Sequence, residues 1–97
     1  MIICAALKIN QKNKDPIIIA GFNHASCYQT LYELNLELSL ITRRDNLAEE
    51  GFLTNENTFV NRREAFMIAR QCGQLSTQAL YDKAMRRENG LFSEDLY

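Results

Sequence analysis

Apolar and polar positions alternate at the start of the chain. Over residues 2–10, IICAALKIN, one side carries Ile3, Ala5, Leu7 and Ile9, and the other Ile2, Cys4, Ala6 and Lys8. A period of two predicts a strand, and because both sides begin apolar, a strand covered on both faces near its start. QKNKDP is a turn by composition, with Pro16 tolerated where the next strand begins. Ile17, Ile18 and Ile19 are β-branched and complete an N-terminal hairpin over 1–22, closed by Gly21. From His24 or Ala25 the period lengthens. Tyr28, Leu31, Tyr32, Asn35 and Leu36 recur at three and four, predicting a helix over 24–36 that Asn23 caps. Residues 37–42 fit a short strand as well as a helix. RRDNLAEE, residues 43–50, reads as a charged, solvated and mobile connection.

The stretch from Gly51 to Gln74 organises the rest. Gly51 to Thr54 and Thr58 to Val60 read as two short strands around the turn Asn55-Glu56-Asn57. Asn61 then stands where a helix N-cap belongs, and Glu64, three residues on, completes a capping box. Ala65, Ile68, Ala69 and Cys72 recur at helical spacing, and Gly73 supplies the left-handed residue that ends the helix. Ser76 or Thr77 caps a third helix over 76–89, with a narrow stripe of Ala79, Leu80, Ala84 and Met85 and a stop at Gly90. In the tail, 91–97, four of seven residues are large and apolar (Leu91, Phe92, Leu96 and Tyr97). A disordered tail rarely has that content, so it docks, on its own body or on a second copy. The reading is a single α+β domain over 1–97: a small antiparallel sheet with two to three helices packed mainly on one face.

Composition narrows the function. A chain of 97 residues holds one modest core, and a hydrophobic fraction of 46% is ordinary for a folded protein. The net charge is −1, so general nucleic-acid binding is not expected and any basic site is local. No run is long enough to span a bilayer, and MIICAAL lacks the basic region of a signal peptide. Three cysteines without a C-x-x-C pair fit a reduced, cytoplasmic setting better than a disulfide scaffold. His24 and Cys27, with Cys4 and Cys72, have a spacing that zinc would accept. Singly buried thiols are the commoner meaning of such cysteines, so no metal is assigned.

Arg62 and Arg63 sit in the first turn of a helix, where the dipole disfavours cations. Free amides and arginine forks together grip phosphate or carboxylate, whereas the bland alternative is an ion pair with Glu49, Glu50 or Asp95. His24, the only histidine, stands at a strand-to-helix junction as a general base, a nucleotide contact or a polar cap. With Cys27 it could activate a thiolate, but no oxyanion-hole pattern accompanies it. Phe59, three residues before Arg62, could stack on a base while the arginine holds a phosphate.

These residues resemble a family of small phage-encoded proteins. The shared pattern is GF-[LIV]-T, a turn, FV-[DN]-R-x-EA, a helix ending in GQ, and a terminal [LF]-[YF]-SEDL-[YW]. Here it appears as Gly51 to Thr54, Phe59 to Ala65, Gly73-Gln74 and Leu91 to Tyr97, with Gly21 and His24 ending the hairpin. Some members look similar to Thoeris anti-defence proteins and related sponges, which hold cyclic nucleotide-type immune signals between subunits without cleaving them. The resemblance implies a homo-oligomer in the host bacterial cytoplasm, a small-molecule cyclic nucleotide partner, no cofactor and no catalysis. Its implied ligand-binding residues are Arg62 at phosphate and Phe59 near a base, with Arg63, His24 and Thr58 around them. Thr58 stands where members often carry an arginine, which removes one phosphate fork. The alternatives are an inhibitor that docks on a host defence protein through its tail and third helix, or a cyclic nucleotide hydrolase using His24.

Overall fold

The left-handed Asn13 (φ 61°) and Pro16 turn the chain back, so that β1 (Ile2–Ile9) pairs antiparallel with β2 (Ile17–Gly21). The structure is a computed structural model that describes residues 1–96. Helix α1 (His24–Leu34) and helix α2 (Leu36–Asp45) follow, then β3 (Ala48–Thr54), β4 (Phe59–Asn61), α3 (Arg62–Gln71), α4 (Thr77–Arg86) and a 3-10 turn at Ser93–Asp95. The strands form one antiparallel sheet in the order β2-β1-β3-β4. This is an α+β fold, with four helices where the pattern predicted two or three.

Each predicted cap forms. Asn23 accepts from the Ser26 amide, and Asn61 and Glu64 make both bonds of the capping box. Ser76, rather than Thr77, caps α4, and the left-handed Arg87 (φ 57°) ends it, three residues before the expected stop at Gly90. Gly73 takes the left-handed conformation (φ 69°) after α3. The ambiguous residues 37–42 are helical because Asn35 starts a new helix, its side chain accepting from the Leu38 amide. Residues 43–50 are no loose connection: Arg43 to Asp45 finish α2, and Ala48 to Glu50 already lie in β3, paired with β1. The charged residues concealed a strand because Glu49 and Glu50 sit opposite Lys8 and Leu7 in the ladder.

One core joins the sheet to α1, α3 and the C-terminal segment. Ala5, Leu7, Ile9 and Phe52 meet Cys27, Leu31, Ala65, Ala69, Leu75 and Leu91, all buried. Three expected faces are corrected. A register shift between Ile2 and Cys4 buries Ile2 and turns Ile3 out, against simple alternation. Cys72, the last position of the expected α3 stripe, is exposed beyond the final helical turn. Met85 is exposed, and the buried residue of α4 is Lys83.

The alternation that buries Leu7 and Phe52 sends their neighbours Lys8, Gly51 and Leu53 to the other sheet face, together with Phe59, whose register partner is Leu53. A Cβ on Gly51 would run into the Val60 carbonyl oxygen and lie 2.5 Å from Phe59 Cζ, so the Phe59 ring is laid directly on that glycine. Gln74 fixes the start of the sheet. Its side chain accepts from the Ile2 amide (2.7 Å) and donates to the Ile2 carbonyl (2.8 Å), the pairing that an additional strand would make.

Candidate functional site

Arg62 is the first residue of α3 and points away from its own helix axis into a polar cluster. Its Nη2 meets Glu50 Oε1 of β3 at 2.7 Å, and its Nη1 donates to the Leu91 carbonyl at 2.7 Å. The guanidinium lies 4.6 Å from the Phe92 ring centroid. An arginine that the helix dipole disfavours is therefore compensated by a carboxylate, a carbonyl and an aromatic face.

His24 joins the same cluster from the start of α1. Its Nε2 is 2.8 Å from the Gly51 carbonyl oxygen, which only accepts, so Nε2 carries the proton. Nδ1 is then the acceptor for Arg62 Nη2 and Ser93 Oγ, each at 3.3 Å. Burial lowers the His24 pKa; the Gly51 bond works against that shift, the Arg62 charge adds to it, and Glu50 and Glu94 oppose it. The neutral imidazole is the form this geometry needs. The Phe52 ring meets its edge at 5.2 Å.

Glu50 is held ionised. Burial alone would raise its pKa, but the Arg62 bond and the Tyr28 hydroxyl, which donates to Oε2 at 3.0 Å, together lower it. Tyr28 is correspondingly pushed up to about 12, by burial first and then by donating to a carboxylate. Beside this cluster Lys83, 3% exposed, bonds Asp95 at 2.7 Å and the Gly90 carbonyl at 2.8 Å, and lies 5.0 Å from the Phe92 ring. Phe92 thus carries two cations, and residues 90–95 are tied down by Arg62 and Lys83 together. The tail docks in cis through Leu91, which is fully buried; Tyr97, the last residue of that expectation, lies outside the described residues.

The structure thus brings His24 and Arg62 together, forms the Arg62 ion pair with Glu50 that was the bland alternative, and adds Tyr28, Leu91 and Ser93, which pattern reading did not join to them. Phe59 stands apart. It lies on the opposite sheet face, and the cation nearest its ring is Lys8, with Nζ 6.0 Å from the centroid. Thr58 is exposed at the β3–β4 turn, where its backbone pairs with Thr54. Arg63 is exposed in the first turn of α3. Cys27 is buried and its thiol pushed up to about 11 by burial, the opposite of an activated nucleophile. Among the described residues no group of three or more His, Cys, Asp or Glu could hold a metal. One signal in the sequence did foreshadow the cluster: the four motifs of the resemblance contain Gly51, Arg62, Ser93 and Gln74, and three of these meet at His24.

Fold and cluster define a small α+β protein whose C-terminal segment completes a polar site against one sheet face. Its sequence matches the family described as phage T4 y16D protein over residues 1–97, and the chain belongs to that family. No curated protein and no solved structure matches it. Among the described residues no helix is long and apolar enough to cross a membrane.

Proposed function

We propose that this phage-family protein acts by binding: it sequesters a cyclic nucleotide-type immune signal in the host bacterial cytoplasm, as a homo-oligomer and without cleaving it. The observation that supports the reading is the Phe59 ring lying on Gly51 with the Lys8 ammonium beside it, on the sheet face away from the shared core. A flat aromatic face takes a nucleobase whatever its sequence, and a neighbouring cation takes the phosphate charge. Lys8 has the phosphate role on this face, because Arg62 is already held by Glu50 and Leu91. Arg63 and Thr58 lie at the two ends of β4 and offer further donors. Sequestration requires a stacking surface and preformed donors, and no general base.

Thermal shift against a panel of cyclic di- and trinucleotides and cyclic ADP-ribose isomers tests the reading. A ligand at a hundred times its Kd adds about 2.7 kcal/mol of stability. Phe59→Ala and Lys8→Glu abolish the shift, and heating the complex returns the ligand intact. No shift across the panel, or a shift that survives both substitutions, defeats the proposal. Recovery of a hydrolysed product favours catalysis by His24 instead.

A second reading rests on α4. Tyr81 and Met85, four residues apart, are 60% and 68% exposed. An inhibitor of a host defence protein would dock through that stripe. It predicts that a host defence protein binds the chain with no nucleotide present and is lost on Tyr81→Asp.

A further inference from the structure

Helix α2 turns Ser39 and Thr42 inward beside the partly buried Leu38, and leaves Leu36 and Leu40 exposed. Ser39 and Thr42 are each 2% exposed, whereas Leu36 is 49% and Leu40 58% exposed. Leu36 and Leu40 are four residues apart and share one helix face. At the joint with α1, Tyr32 and Leu34 are also exposed. Four large apolar residues within nine positions form a surface that water solvates poorly.

The charges around it have a direction. Glu33 and Glu37 precede Leu40, and Arg43 and Arg44 follow it, all exposed. Arg44 pairs with Asp45 next to it, and Glu33 accepts from Gln29. Glu37 and Arg43 make no ion pair among the described residues. Six residues apart on one helix, they are separated by about 9 Å of rise and do not reach each other. Glu37 stands three residues before Leu40 and Arg43 three after. An antiparallel two-fold axis at Leu40 therefore places Glu37 of each copy level with Arg43 of the other, twice, across the seam formed by Leu36 and Leu40, where the long arginine side chain spans the gap. Parallel docking would set like charges together.

We infer that the exposed α2 face, continued by Tyr32 and Leu34, is a self-association surface on which a second copy of this chain docks antiparallel about Leu40. The second copy is the homo-oligomer of the proposed function, and the inference rests on that reading to this extent. It does not rest on the nucleotide, since the Phe59 face of the sheet is not part of it, and nucleotide thermal shifts test that part separately. The occupant is a second copy because the charge pattern is complementary to itself under a two-fold axis, a property that an unrelated partner does not require.

Sedimentation of the full chain from micromolar to millimolar concentration tests it. The unaltered protein forms a dimer. Leu40→Asp gives a monomer with unchanged circular dichroism, since the side chain is mostly exposed. Glu37→Arg weakens the dimer by about tenfold or more, and adding Arg43→Glu restores it. A protein that stays monomeric throughout overturns the inference. So does a dimer indifferent to Leu40→Asp, or a charge swap that fails to rescue. If Leu40→Asp perturbs folding, the Glu37 and Arg43 pair decides alone.

Discussion

Arg62 and Leu91 hold each other twice: the Leu91 amide donates to the Arg62 carbonyl at 2.9 Å, and the Arg62 guanidinium donates to the Leu91 carbonyl at 2.7 Å. The residue that opens α3 thus also closes the C-terminal segment onto the core. Arg62→Ala removes a charged donor from a buried backbone carbonyl and uncovers Phe92. The expected loss is about 2–3 kcal/mol in urea unfolding, with the amides of 91–96 exchanging faster with solvent. The Glu50 pair adds little to that figure, because the Glu50 side chain is 38% exposed. Arg63→Ala, on the exposed side, changes stability by less than about 0.5 kcal/mol.

Acid weakens the same cluster through His24. Its pKa is lowered in the folded protein from the ordinary 6.5 of an imidazole, so the unfolded chain binds the extra proton first. Its contribution is complete above the unfolded pKa and is lost as pH falls toward the folded one. Protonation would place a third donor against Arg62 and Ser93. Urea midpoints therefore fall between pH 7.5 and pH 5 by more than in His24→Gln, which keeps a donor for the Gly51 carbonyl but does not titrate. Equal pH slopes in the two proteins would refute the assignment. Glu50, with its pKa lowered, adds its own loss only below about pH 4.5, its unperturbed value.

Lys83 is a buried cation whose ion-pair and hydrogen-bond partners, Glu88, Gly90 and Asp95, all lie in the segment that follows it. Lys83→Ala leaves Asp95, whose side chain is 16% exposed, without its cation, and costs about 3–5 kcal/mol. Lys83→Met with Asp95→Asn removes both charges and costs less than Lys83→Ala alone. A double-mutant cycle read by thermal unfolding measures the difference.

Gly51 tolerates no side chain. Gly51→Ala meets the Val60 carbonyl and the Phe59 ring, and should destabilise by about 1–3 kcal/mol. Combining it with Phe59→Ala recovers only part of the loss, because the Val60 contact is backbone. Full recovery in the double variant would show that the ring alone requires the glycine.

The elements that the pattern specified are those set by local chemistry. Asn23, Asn61, Ser76 and Gly73 act within one turn of themselves, so their caps and stop were legible in the sequence. The period of two in residues 2–10 and the α+β class followed from repeated burial of one side, and β2 followed from the β-branching of Ile17, Ile18 and Ile19, of which only Ile19 is buried. Helix α2 was ambiguous for a related reason: Ser39 and Thr42 are its fully buried residues while Leu36 and Leu40 face out, so hydrophobicity carried no helical period there.

Sequence by itself thus determined the caps, most of the strands and the odd position of Arg62 and Arg63. Only the tertiary structure decided what Arg62 is for in the fold, because its partners Glu50 and Leu91 lie 12 and 29 residues away. It also separated Phe59 from Arg62. Adjacent motifs in a chain share a site only when they share a sheet face, and the pleat sends Phe59 to the face opposite the core while the guanidinium reaches Glu50 beside Leu7 and Phe52.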